Sequence, residues 1–192
     1  MDNKYIVIIT GDLASGKTSY GIKISNTLGI PFFSKDKIKE VLYDSISGGN
    51  DLDYESKRKI GSTSYDIFYY IIEEQMKSGM PLVAESNFTE ESIPTIKELL
   101  TKYNYKCVTV KFTGDLHVLH ERFIKREYSD ERHSGLFSNG KFDNYEVFES
   151  RASVLRNFKI DDNEIIVDTT DFNTVDYDSI IDYIKGVVYG NH

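Results

Sequence analysis

Tyr5-Ile6-Val7-Ile8-Ile9-Thr10-Gly11-Asp12-Leu13-Ala14-Ser15-Gly16-Lys17-Thr18 is the stretch that decides how the rest of the chain is read. Its first five residues are apolar and mostly β-branched, the pattern of a strand buried on both faces of a parallel sheet. From Gly11 onward the residues match G-x-x-x-x-G-K-[ST] without a mismatch. In such a loop, successive backbone N–H groups point at phosphate oxygens, glycine permits the turn, and the following helix adds its positive dipole end. Lys17 would set a compact positive charge at the β- and γ-phosphates, and Thr18 a hydroxyl on Mg²⁺. Tyr20, Ile24 and Leu28 then recur at a helical interval, and Gly29 closes the segment. Strand, loop and helix are the context the motif requires. Gly11, Asp12, Leu13, Ala14, Ser15, Gly16, Lys17 and Thr18 are therefore expected to hold a nucleoside triphosphate, with Mg²⁺.

Outward from the loop, strands and helices alternate. Pro31-Phe32-Phe33-Ser34 reads as a second strand, followed by a helix over 36–46 with Ile38, Val41, Leu42 and Ile46 on one face. Ser47-Gly48-Gly49-Asn50-Asp51 reads as a flexible loop, and a long amphipathic helix over about 55–77 ends at Gly79. Leu82-Val83-Ala84 is a third strand ending in Glu85-Ser86-Asn87, and 92–103 is a helix that tolerates Pro94 in its first turn. A fourth strand covers 106–112, and a helix over 116–128 turns Leu116, Leu119, Phe123 and Ile124 inward. Residues 129–143 lose the apolar period and read as a mobile connection. Helices near 145–158 and 178–189 flank a last strand at 164–167. The expectation is one α/β domain over 1–192, a three-layer fold with five parallel strands, helices on both faces and right-handed crossovers. Ligands of such sheets sit at the carboxyl ends of the strands, so Gly11, Asp36, Glu85, Asn87, Gly114 and Thr169 should converge on one crevice.

Composition narrows the function. A net charge of −8 argues against a surface built to attract nucleic acid or an anionic membrane in bulk. The one cysteine, Cys107, lies in an apolar run and offers neither a disulfide framework nor a metal site. His117, His120 and His133 do not make a ligand set and read as surface histidines. The chain opens with polar Asp2-Asn3-Lys4, without a leader or a membrane-length apolar run, from which cytoplasmic residence is expected.

With the loop at the N-terminus, Ser34-Lys35-Asp36-Lys37-Ile38-Lys39 after strand two, Glu85-Ser86-Asn87-Phe88 after strand three, and Arg122, Arg126 and Arg132-His133 further on, the chain resembles the small P-loop kinases. Within them it is similar to the predicted-kinase family that includes the polynucleotide kinase domain and the zeta-toxin-like and chloramphenicol-phosphotransferase-like enzymes. The resemblance implies that Asp36 faces the acceptor hydroxyl and takes its proton, where the residues alone also allow a helix N-cap. It places Lys37, Glu85 and Asn87 at the substrate. Where the family commonly carries Asp followed two residues on by Asn, this sequence has Glu85 and Asn87, and Glu85 could hold Mg²⁺ or the substrate. A helical lid over about 122–143 is implied, with Arg126 and Arg132 folding over the phosphates, while Arg122 pairs at the core edge instead. Thr169 and Thr170 would lie against the base.

The leading expectation is phosphoryl transfer from ATP to a hydroxyl of a small molecule such as a nucleoside, sugar or antibiotic. A nucleotide-dependent switch acting through a protein partner is the second reading, although no guanine-specifying Asn-Lys-x-Asp occurs. A 5′-hydroxyl nucleic-acid kinase is the less favoured third, its positive channel supplied by Lys35, Lys37 and Lys39 or by Lys57-Arg58-Lys59. The acceptor pocket is expected between the lysine-rich turn and the region 47–59.

Overall fold

The computed structural model describes residues 4–48, 50 and 52–190. Asp2 and Asn3, and Gly49 and Asp51 of the expected loop, lie outside the described residues. Strands β1 (Tyr5–Gly11), β2 (Phe32–Ser34), β3 (Leu82–Glu85), β4 (Lys106–Thr113) and β5 (Glu164–Asp168) form a parallel sheet in the order β2-β3-β1-β4-β5. β1 is paired on both sides and covered on both faces, which is why its sequence shows no polar alternation. The register sets both Ile9 and Ser34 beside Glu85, so β2 and β3 end level with each other and β1 runs on to Gly11 beside them.

Helices α1 (Lys17–Leu28), α2 (Lys35–Ser47), α3 (Tyr54–Lys77), α4 (Ile93–Tyr103), α5 (Leu116–Glu127), α6 (Tyr145–Arg156) and α7 (Tyr177–Tyr189) surround the sheet. Ile6 and Ile8 pack with Phe68, Ile72 and Met76 of α3, Ile96 and Leu99 of α4, and Phe158 after α6. Val7 and Ile9, pointing the other way, pack with Ile24 of α1 and Ile180, Ile184 and Val188 of α7. A third cluster, Leu119, Phe123 and Phe148, joins α5 to α6 and touches Leu13 and Ala14 of the loop, so the packing of these helices bears directly on it. Asp53, Asp115, Asn144 and Asp176 cap α3, α5, α6 and α7 by accepting from N–H groups two or three residues on.

Burial departs from the sequence pattern in two places. Val41 and Ile46 of α2 are 66% and 57% exposed. α2 packs chiefly on α3 and on the short turn Ser134–Leu136, burying Tyr43, which abuts Gly135, so the inward stripe is narrower than the four apolar residues suggest. His120 is no surface histidine: its ring packs against Tyr145 and Phe148 and lies 3.1 Å from the Phe142 carbonyl. Among the described residues no helix is long and apolar enough to cross a membrane, and no group of acidic, His or Cys side chains is arranged to hold a metal by itself.

Candidate active site

The loop between β1 and α1 is held tightly against β4. Gly11 has φ 124°, and a Cβ there would sit 1.9 Å from the Phe112 carbonyl oxygen, so only glycine fits. The Asp12 N–H donates to that same oxygen at 2.8 Å. Ala14, at φ 60°, and Gly16, at φ 80°, complete a curl in left-handed conformations. Lys17 is 7% exposed and its ammonium donates to the carbonyls of Gly11, at 3.1 Å, and Asp12. Burial lowers Lys17 to about 8, with the carboxylate of Glu85 pulling the other way. A cation left in such surroundings is one that phosphate oxygens would stabilise.

The ends of β2 and β3 build the opposite wall. Ser34 caps α2, its hydroxyl accepting from the Lys37 N–H at 3.5 Å and donating to Glu85 Oε2 at 2.5 Å. Asp36 is therefore not the cap. It sits in the first turn of α2, its carboxylate against the ammonium of Lys35. Burial works against its charge, but Lys35, followed by Lys17 and Lys39, outweighs that and holds Asp36 below the usual carboxylate range. Glu85 is 3% exposed, and burial pushes its carboxyl up despite Lys17 and the Ser34 hydroxyl. Asn87 adds a buried side-chain oxygen without a hydrogen-bond partner. These groups and residues 13–19 line a cleft of about 370 Å³, together with Lys37, Lys39, Glu40, Phe123, Arg126 and Arg132.

Arg126 reaches the cleft from α5 and makes no hydrogen bond among the described residues; burial and the nearby Arg132 lower its pKa. Arg132 also lines the cleft, but its guanidinium donates to the fully buried Glu127, at 2.9 Å, and to the Leu136 carbonyl, at 2.7 Å. The Ser138 N–H closes on the second oxygen of Glu127, so the segment after α5 is wrapped around that carboxylate. Arg122 turns away and donates to the carbonyls of Thr169 and Thr170, at 2.6 Å each, with its plane 4.2 Å over the Phe172 ring.

Not every expected residue faces the cleft. Gly11 and Asp12 do not line it, nor do Thr169 and Thr170, and the described residues of the region 47–59 lie outside it. Thr169 is fully buried, its hydroxyl donating to the Thr113 carbonyl, while the Thr170 hydroxyl accepts from the Asp115 N–H. The Asp12 carboxylate, 0% exposed, points to the other side of the loop, where Arg156 grips it with contacts of 2.6 and 3.1 Å and also donates to the Gly114 carbonyl. Sequence reasoning missed Arg156. The one available signal was Asp12 itself, an acid in a loop built for anions, which demands a cation that the sequence could not locate.

No protein-family model matches the chain. A protein of Chloroflexus aurantiacus provisionally assigned as a kinase superposes with a TM-score of 0.83 at 25% identity, over 96% of this chain and 98% of that one. Cytidylate kinase of Saccharolobus islandicus is 27% identical over 172 residues, covering 84% of this chain and 86% of that enzyme. The chain is a kinase of the P-loop type. The same fold carries a gluconokinase of Sinorhizobium meliloti, which superposes on the kinase with a TM-score of 0.55 at 19% identity over 98% of this chain and 93% of that one. A shikimate kinase of Bacteroides thetaiotaomicron does so with a TM-score of 0.53 at 14% identity over 96% and 98%. The last two likenesses speak to the fold alone.

Proposed function

We propose that the kinase transfers the γ-phosphoryl group of ATP to a hydroxyl of a small molecule. The observation that carries this reading is the placement of Asp36: an ionised carboxylate on the cleft wall facing the phosphate loop, relieved of capping duty by Ser34. In this reading the backbone N–H groups of the loop and Lys17 hold the β- and γ-phosphates in line with the acceptor. Asp36 orients the acceptor hydroxyl and takes its proton as the oxygen bonds to phosphorus, with ADP leaving from the other side. Arg126 neutralises charge on the transferred group, and Arg132 joins it from the lid formed by 122–143. Lys37, Glu85 and Asn87 border the acceptor, and Arg122 fixes the backbone around Thr169 and Thr170 near the base.

Oxygen donors suited to a hard divalent cation are present: the Thr18 hydroxyl and the Glu85 carboxylate line the cleft beside the unpartnered oxygen of Asn87. Thr18 and Glu85 would hold Mg²⁺, which when bound supplies neutralisation of phosphate charge.

A second reading comes from the cytidylate kinase likeness: the acceptor is a nucleotide, and a phosphate oxygen of it is the nucleophile. Such an oxygen is already ionised and needs no base. The two readings separate in one experiment: ADP release from Mg-ATP across nucleosides, sugars, aminoglycosides, nucleoside monophosphates and 5′-hydroxyl oligonucleotides, with wild type and Asp36→Asn. Stimulation by a hydroxyl acceptor that the substitution abolishes, with ATP binding retained, supports the first. Stimulation by a monophosphate that survives the substitution supports the second. Equal hydrolysis by both proteins, indifferent to any acceptor, overturns both in favour of a nucleotide-dependent switch.

A further inference from the structure

The cleft is basic although the protein is acidic. The chain carries a net charge of −8, yet Lys17, Lys35, Lys37, Lys39, Arg126 and Arg132 line the cleft against only Asp36, Glu40 and Glu85. Several of these cations already have partners. Lys35 contacts Asp36, Lys37 lies 2.7 Å from Glu40, Arg132 holds Glu127, and Lys17 is bound to loop carbonyls. Arg126 and Lys39 have none: among the described residues neither makes a hydrogen bond or an ion pair, and Lys39, on α2, is half-buried. The charges that act on it are Lys35, Asp36 and Arg132; burial and the two cations outweigh Asp36 and bring Lys39 below the usual lysine range. An ammonium kept there costs free energy that an anion would return.

In the reading above the triphosphate is held by the loop N–H groups, the N-terminus of α1, Lys17 and the lid arginines Arg126 and Arg132, whereas Lys39 lies on α2, one helical turn beyond Asp36, the residue assigned to the acceptor. Glu40 cannot serve, because Lys37 occupies it.

We propose that Lys39 binds an anionic group carried by the acceptor itself, so that the substrate is a small hydroxylated organic anion, carboxylate or phosphate ester. This rests on the hydroxyl-acceptor reading above. Residues three apart on a helix hold their Cβ atoms about 5–6 Å apart. The anionic group is therefore separated from the reacting hydroxyl by only a few carbons, and Asp36 is aimed at the hydroxyl while Lys39 fixes the far end.

The test uses matched acceptors that differ in charge: glycerol with glycerate and glycerol phosphate, glucose with gluconate, and ribose with ribose 5-phosphate. ADP release from Mg-ATP is followed for wild type, Lys39→Ala, Lys39→Gln and Lys39→Arg, and the position of the new phosphoryl group is read by phosphorus NMR. The expected result is a preference of about 10- to 100-fold in kcat/KM for an anionic member, the range of a hydrogen bond to a charged group. That preference should collapse in Lys39→Ala and Lys39→Gln, mainly through KM, and return in Lys39→Arg. Equal use of neutral and anionic members by wild type, or a preference that survives both neutral substitutions, overturns the inference while leaving the hydroxyl reading standing. No stimulation by any hydroxyl acceptor, or a product phosphorylated on an existing phosphate, overturns the hydroxyl reading and this inference with it.

Discussion

Replacing Arg156 by methionine removes the cation that faces a carboxylate with no access to water. Asp12 is 0% exposed, and the guanidinium donates to its Oδ1 at 3.1 Å and to its Oδ2 at 2.6 Å. Removing one partner of a buried ion pair costs about 3–5 kcal/mol, because a desolvated charge stays behind. The Arg156 side chain is itself 39% exposed, so solvent already screens part of the attraction and the cost falls below that range, to about 2–3 kcal/mol. Asp12→Asn keeps the shape, removes the buried charge and leaves Arg156 partly in water, so it should cost less, about 1 kcal/mol. The double variant should then be more stable than Arg156→Met alone. Urea unfolding of the four proteins at pH 7 gives the cycle, and a coupling of at least about 1 kcal/mol is expected. An Arg156→Met loss below about 0.5 kcal/mol, or additive effects, would refute the argument that this pair fixes the loop. Mg-ATP affinity should fall along with stability, since Asp12 is the second residue of the loop and Lys17 bonds to its carbonyl.

Asp36→Asn should lower kcat about 10²–10⁴-fold, the usual worth of a positioned base, with Mg-ATP binding retained in isothermal titration; parental turnover would contradict the role. Because its lysine neighbours hold Asp36 below the usual range, its base form persists at mildly acidic pH. The acid limb of kcat/KM should therefore lie below the range of an ordinary carboxylate, and a limb above that range in a pH profile would count against Asp36 as the base. Gly11→Ala sets a Cβ 1.9 Å from the Phe112 oxygen, and thermal melting should show a loss of more than about 3 kcal/mol or no soluble protein. Arg126→Ala breaks no hydrogen bond, so urea stability should stay within about 0.5 kcal/mol of the parent while kcat drops about 10²-fold or more; the reverse pattern would make Arg126 a structural residue.

The fold was legible wherever the signal was local. β1, the loop and α1 are contiguous, and their strand-like run, glycine spacing and closing Gly29 stand in the structure where the pattern sets them. The order of strands and helices followed for the same reason, each element announcing itself by its own period. α2 shows where that stops: periodicity marks an apolar face but not what covers it, and Val41 and Ile46 face solvent because only one side of the helix is packed. Asp36 could be a cap or a cleft residue until Ser34, two positions earlier, was seen to do the capping. Arg156 and Asp12 lie 144 residues apart, and the hold of Arg132 on Glu127 depends on how an irregular segment folds back. Such pairings are set by tertiary structure, which no window of sequence contains.

The chain's one thiol gives the kinase an internal gauge. Cys107 is 3% exposed in β4, and burial, with the charge of Asp161, raises its pKa so that the reactive thiolate is scarce. A water-soluble alkylating reagent can therefore reach it only when β4 parts from the helices over it, and the labelling rate of the native protein times that opening. A nucleotide or acceptor that binds only the closed form slows labelling by the factor 1 + [L]/Kd. Binding of a candidate substrate can be weighed in this way by mass spectrometry, with no turnover, dye or engineered probe.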